Sequence, residues 1–175
     1  VTAKNMFSLT QYTGCTNVVV DGVTMENCLY GVNLGTSKDA VIRNSTIVGT
    51  NGYGIAAEVS SNNSVVTVAD CDIYANVPVL VHSATANSCT LNVEGNNTFT
   101  ATNENGYWGI ITGARGSSLV APTASYTVNL NDNGLQLADV YPFEAVATVG
   151  NARYDSLQAA IDAATELGGS QTITV

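Results

Sequence analysis

Asp70 and Asp72 are the acidic pair best placed to do chemistry in this chain. Two residues apart on a strand, their side chains leave on one face. With Thr46 and Asn97 stacked beside Asp72, they would form an outward polar row. Paired carboxylates act as general acid and base, given a third partner and a cleft. The one imidazole, His82, ends the apolar run Val79-Leu80-Val81 and is the other acid–base candidate. The simpler reading makes Asp70 and Asp72 turn-capping or solvated residues and His82 a surface histidine beside a loop. Arg43 and Arg115 carry the charge to grip a sugar-acid carboxylate, although such residues more often form surface ion pairs worth little.

Tyr30, Tyr53, Tyr107 and Trp108 are the candidate ligand-binding residues. Tyr30 and Tyr53 fall in one column of a sequence repeat, with Trp108 two turns later. Exposed aromatic faces match the apolar faces of pyranose rings. The simpler alternative is a packing ladder at a corner. The acidic loop residues Glu104, Asp132 and Asp139 could hold calcium, but no D-x-D-x-D-G loop is present. Calcium is therefore the only metal considered, and no cofactor is expected. Cys15, Cys28, Cys71 and Cys89 form no C-x-x-C pair, and one His leaves no zinc spacing. Two disulfides are compatible with the spacing; free thiols packed as small core residues are the preferred reading.

Composition bounds the partners. The chain has 175 residues, 45% hydrophobic and only 11% charged, against roughly 25% charged in soluble domains. Its net charge is −9 with five basic residues. No basic patch exists to displace counterions from phosphates, which excludes nucleic acid as an expected partner. No apolar run approaches the ~20 residues of a membrane helix, so no membrane insertion is expected. No basic-then-apolar start marks a signal peptide, and the chain reads as a mature or excised piece of something longer.

The elements that must position these residues come from a loose repeat. Residues 18–25, 40–47, 66–73 and 91–98 each show an apolar pair two residues apart, a small or polar break, and a second alternating segment. A third segment follows each: Tyr30-Gly31-Val32-Asn33-Leu34, Tyr53-Gly54-Ile55-Ala56-Ala57, Pro78-Val79-Leu80-Val81-His82 and Trp108-Gly109-Ile110-Ile111-Thr112. A period of twenty-odd residues with short strands means stacked coils. Three strands per turn describe a single-stranded parallel β-helix. Val20, Ile42, Val68 and Val93 form one inward column; Met25, Ile47, Ile73 and Thr98 form another. Cys71 falls in the column of Val23, Ser45 and Asn96. Asp21-Gly22, Arg43-Asn44, Ala69-Asp70 and Glu94-Gly95 mark a corner, because Gly, Asn and Asp accept the left-handed backbone. Residues 5–9 read as the third strand of a preceding turn, and residues 126–130 as a further strand.

The pattern changes near Pro142. Residues 145–149 read as a strand and 151–152 as its turn. Residues 155–167 read as a helix, with capping-box spacing from Asp155 to Gln158. Leu157, Ala160, Ile161 and Ala164 make its apolar stripe. Gly168-Gly169 ends it, and residues 171–175 are a last strand. The domain expectation is a coil over residues 1–142 and a strand-helix-strand unit over 143–175.

Residues 5–137 resemble the right-handed parallel β-helix of the pectate-lyase-like superfamily of bacterial secreted and surface proteins. The tail Val146-Ala-Thr-Val-Gly-Asn-Ala-Arg-Tyr-Asp-Ser-Leu-Gln-Ala-Ala-Ile-Asp-Ala-Ala is similar to the Y-x-S/T-L-x-x-A-I-x-A-A cap that opens β-helix modules in large surface proteins. The resemblance implies an all-β, right-handed coil and an extracellular or cell-surface bacterial location. It implies lyases that hold calcium on clustered carboxylates, or hydrolases with three close Asp, and this sequence matches neither set well. The leading expectation is a non-catalytic, adhesin-like module whose partner is a polysaccharide or host or cell-surface glycan. A divergent polysaccharide lyase or glycoside hydrolase is the alternative. A structural spacer that self-associates head to tail or by swapping residues 143–175 is the third reading.

Overall fold

The computed structural model describes residues 1–11, 15–59, 64–82, 88–103, 108–112, 126–135, 140–141, 147–150, 152–154 and 157–175. The first described turn holds β1 (Thr2–Lys4) and β2 (Leu9–Gln11). Next come β3 (Val18–Asp21), β4 (Thr24–Glu26) and β5 (Val32–Ser37), then β6 (Ala40–Arg43) and the long β7 (Thr46–Val59). They are followed by β8 (Ser64–Ala69), β9 (Asp72–His82), β10 (Cys89–Gly95), β11 (Thr98–Ala101) and β12 (Ile110–Thr112). β13 (Tyr126–Asp132) and β14 (Val140–Tyr141) are the last coil strands. β15 (Ala147–Val149), β16 (Ala152–Tyr154), α1 (Leu157–Leu167) and β17 (Ile173–Thr174) form the C-terminal unit.

The strands stack in parallel into a right-handed solenoid of about three turns. β3, β6, β8, β10 and β13 form one five-stranded wall. The other two strands of each turn belong to a single nine-stranded sheet, because β7 and β9 run through the bend that elsewhere separates them. Val20, Ile42, Val68 and Val93 share one register position, as the sequence predicts. Alternation sends these side chains inward, and Ile42, Val68 and Val93 are fully buried.

The second column is Met25, Ile47, Ile73 and Phe99. Phe99, not Thr98, is its fourth member. The shift arises at one corner. Ala69 and Asp72 are separated by two residues, whereas their partners Glu94 and Thr98 are separated by three. The same extra residue puts Asn97 instead of Asn96 above Cys71, and Thr98 instead of Asn97 beside Asp72. The first turn also differs from expectation. Thr2–Lys4 pairs with β4, and the strand pairing with β5 is Leu9–Gln11, slightly later than residues 5–9.

The C-terminal unit is a three-stranded antiparallel sheet in the order β16-β15-β17. It packs Ala147 and Val149 against Ala160 of α1. β16 occupies residues read in sequence as a turn and helix approach; the reversal is at Gly150, with φ +58°. Residues 145–146, 151 and 155–156 of the expected elements lie outside the described residues.

Candidate functional site

The corner between the first and second strands of each turn is built from the residues singled out for chemistry. Gly22, Asn44, Asp70 and Gly95 have φ of 65°, 51°, 53° and 81° and form the left-handed column. Asp70 is therefore a corner residue. Its Oδ1 accepts the Asn96 N–H of the next turn at 3.0 Å. Asp72 begins β9, exposed on the outer row Thr24–Thr46–Asp72–Thr98. His82 lies at the opposite end of β9, in register with Glu58. The fold thus separates His82 from the two aspartates along one strand. His82 is also 8% exposed, not a surface histidine. Its strand neighbour Leu80 points away from the coil interior yet is fully buried, in a second apolar cluster with Val77, Trp108 and Ile111.

Arg43, the candidate for a sugar-acid carboxylate, is held by its own chain. Its Nε donates to Asp21 Oδ2 at 2.8 Å, and Asn44 Nδ2 donates to Asp21 Oδ1 at 2.8 Å. The Asn44 hydrogen bond, then the Arg43 hydrogen bond, hold the Asp21 carboxyl below the usual carboxylate range.

A second ladder runs inside the same corner. Ser45 Oγ accepts the Val23 N–H of the preceding turn (3.2 Å) and donates to Arg43 O (2.8 Å). Asn97 repeats the device: Oδ1 accepts the Cys71 N–H (2.9 Å) and Nδ2 donates to Glu94 O (2.7 Å). Asp132 Oδ2 then accepts from both Asn97 N–H (2.8 Å) and Asn97 Nδ2 (2.7 Å). Its Oδ1 accepts the N–H groups of Gly134 (2.8 Å) and Leu135 (3.1 Å). These side chains satisfy backbone groups that a sharp bend takes out of the strand ladders. The readable signal was the small residue, Ser45 or Cys71, just after the Asn44 and Asp70 corners; the column was read through Asn96 and is filled by Asn97. Asp132, thirty-five residues beyond Asn97, gave none. It clamps this corner; in the sequence it stood only as an acidic loop residue that could hold calcium.

Burial alone would raise the Asp132 carboxyl, but the hydrogen bonds from Gly134, Asn97 and Leu135 outweigh it and hold the pKa below its ordinary value. A depressed folded pKa adds stability above the unfolded value, lost as pH falls through the folded one. Asp132→Asn, whose amide N–H₂ would face donors, should melt below wild type at pH 7. That gap should close below about pH 4. Thermal unfolding across pH 3 to 7 checks this; a constant gap would refute the clamp.

The aromatic ladder exists. Tyr30 and Tyr53 stack at 5.9 Å with planes 19° apart, and Phe7 meets Tyr30 edge-on at 5.4 Å. Phe7 was not singled out in the sequence because its strand was placed early. The column continues through Val77, the register partner of Tyr53. Trp108 is 8% exposed and packs on Tyr141 at 4.8 Å, so it belongs to the second cluster and is not an open platform. Tyr107, Arg115, Glu104 and Asp139 lie outside the described residues.

All four cysteines are free thiols; Cys15 is exposed and Cys28, Cys71 and Cys89 are buried. Burial, reinforced by Asp39, pushes the Cys89 thiol up to about 12, and burial also raises Cys71. Neither is a thiolate nucleophile near neutrality. Among the described residues no three His, Cys, Asp or Glu side chains converge as a metal-binding group.

Residues 4–100 match the family model described as a right-handed β-helix region. The chain belongs to the right-handed β-helix family. No curated protein and no solved structure matches it. Family membership accounts for the stacked walls and leaves the chemistry to the individual site, because one scaffold hosts many functions. In this β-helix the acids at the corner serve turn-to-turn hydrogen bonds, and the Tyr30 ring stacks on its neighbour.

Proposed function

We propose that this β-helix is a non-catalytic, adhesin-like module of a bacterial extracellular or cell-surface protein, displaying its loops and corner ladder to polysaccharide or cell-surface glycan. The observation that carries the reading is the engagement of the candidate catalytic groups. Asp70 forms a corner, and Asp72 stands ten residues along β9 from His82. Acid–base catalysis needs such groups within hydrogen-bond reach of one reacting bond. Glycan contact is supported at the ladder's outer member: Phe7 is 65% exposed, an apolar ring on which a pyranose face can rest. The likeness to the pectate-lyase-like superfamily, and of residues 146–164 to surface-protein caps, supports the extracellular setting.

The test is a panel of plant, host and bacterial polysaccharides incubated with the purified chain, scoring retention and release of new chain ends. Retention without release, weakened by Phe7→Ala, is the expected result. Release of chain ends that vanishes in Asp72→Ala would overturn it and make the chain a divergent lyase or glycosidase. Neither retention nor release would remove the glycan and leave a spacer.

A further inference from the structure

Asn-Gly pairs occur in the chain at residues 51–52, 105–106 and 133–134. Such a pair is open to an internal reaction. With no Cβ on the second residue, its backbone nitrogen can swing onto the asparagine side-chain carbon. Residues 105–106 lie outside the described residues. Gly52 is seated against the Tyr30 ring, which a Cβ there would strike. Asn133 and Gly134 are exposed on the corner that follows β13.

Hydrogen bonds at this corner hold the two reacting groups apart. The Gly134 N–H, on the attacking nitrogen, donates to Asp132 Oδ1 at 2.8 Å. The Asn133 side chain donates through Nδ2 to Asn96 Oδ1 of the preceding turn at 2.7 Å. The Asn133 N–H donates to Gly95 O at 3.2 Å, which fixes the backbone on that side. Asp132 is itself tied to Asn97. Leu135, whose N–H shares Asp132 Oδ1, packs against the coil core. Before the Gly134 nitrogen can approach Asn133 Cγ, its N–H must leave Asp132 and the amide must leave Asn96. Such a step is a local opening of the corner, not unfolding of the coil.

We propose that Asn133 is a site of spontaneous deamidation guarded by the Asp132 clamp, silent while the corner is closed and converted when it opens. In the open corner the Gly134 nitrogen attacks Asn133 Cγ. The N–Cγ bond forms, the Cγ–Nδ2 bond breaks, and ammonia leaves with the proton from Gly134. Water then opens the succinimide ring, giving aspartate by attack at one carbonyl and isoaspartate by attack at the other. Neither product restores the corner. Each sets a carboxylate against the Asn96 Oδ1 acceptor, where a donor stood, and beside the Asp132 carboxylate. Isoaspartate also adds a methylene to the backbone before Gly134, so Asp132 Oδ1 no longer holds Gly134 and Leu135 in one turn. The reaction makes an opening of the corner irreversible and loosens the seat of Leu135 on the coil.

Peptide mapping by mass spectrometry of the full chain, incubated at neutral pH, tests this. Asn51 is the internal reference, and the chain in urea gives the unguarded rate. A hydrogen bond to an ionised group is worth about one tenfold step. Folded wild type should therefore convert Asn133 about tenfold or more slowly than in urea. Asp132→Ala should speed Asn133 about tenfold and leave Asn51 at the wild-type rate. Asn96→Ala, which frees the side-chain amide and spares Asp132, should speed Asn133 several-fold. If Asp132→Ala raises Asn51 equally, that variant has unfolded and Asn96→Ala decides by the same criterion. Folded wild type converting as fast as in urea would overturn the proposal. So would an Asn133 rate in folded Asp132→Ala at or below wild type; a rate below it would make the carboxylate a base that promotes the attack.

Discussion

Ile73→Ala is expected to lower stability by about 2–5 kcal/mol, the range for emptying a fully buried isoleucine site. Ile73 is 0% exposed in the middle of the column Met25–Ile47–Ile73–Phe99. The neighbours above and below are fixed by strand pairing at the sheet spacing, so the wall has little freedom to collapse into the void. In a solenoid each turn is stabilised mainly by its two neighbours; a cavity in a central turn therefore weakens both contacts at once. For a domain of this size roughly 2–4 °C of melting temperature accompanies each kcal/mol. Urea unfolding should show the loss as a lower midpoint with an unchanged slope. Asp72→Ala, one residue away and pointing to solvent, should stay within about 0.5 kcal/mol of wild type. A loss at Ile73 no larger than that at Asp72 would mean that the column is not the core.

That contrast also separates what could be read from the sequence from what could not. The inward columns were legible because period-two alternation and a near-constant turn length leave few alternatives. The register fails where turn length changes: one added residue at Gly95-Asn96 displaced the expected partners just after that corner, turning Thr98 into Phe99 and Asn96 into Asn97, while Val93 before it kept its place. The corner glycines and Asp70 were legible as backbone geometry, and that geometry argues against Asp70 as a catalyst. The Asn97–Asp132 clamp was not legible, since it joins residues thirty-five apart across segments with no common pattern. His82 misled for a related reason. Its place beside a loop marked it as a surface residue; here the outer face of that wall carries its own apolar cluster around Leu80 and Trp108. The helix stripe was placed on the right residues, but which half meets the sheet depends on packing that the stripe alone does not encode.

Gly31→Val should cost about 3 kcal/mol, the upper end of the range for overpacking. A Cβ at Gly31 would press on the carbonyl oxygen of Gly54 in the next turn and lie 2.8 Å from Ile47 Cγ2. The carbonyl cannot rotate away as a side chain can, so the two turns must separate. Gly31 N–H also donates to Tyr53 O at 2.9 Å, and that bond should lengthen with them. Tyr30 precedes Gly31 and stacks on Tyr53; separation would therefore disturb the ladder proposed to meet glycan, visible as a loss of near-ultraviolet circular dichroism. Gly22 supplies the control, because it is a glycine for a different reason. Its φ is +65° and a Cβ there meets nothing within 4 Å. The same column holds Asn44 and Asp70 at nearly the same angle, so Gly22→Asn should remain within about 0.5 kcal/mol of wild type. Gly22→Val should lose roughly 1–2 kcal/mol from the left-handed backbone alone. If Gly31→Val were tolerated while Gly22→Asn was not, the close approach of turns at the aromatic corner would be wrong. The ladder would then have to be held by something other than the close approach of Gly31 to Gly54 beside it.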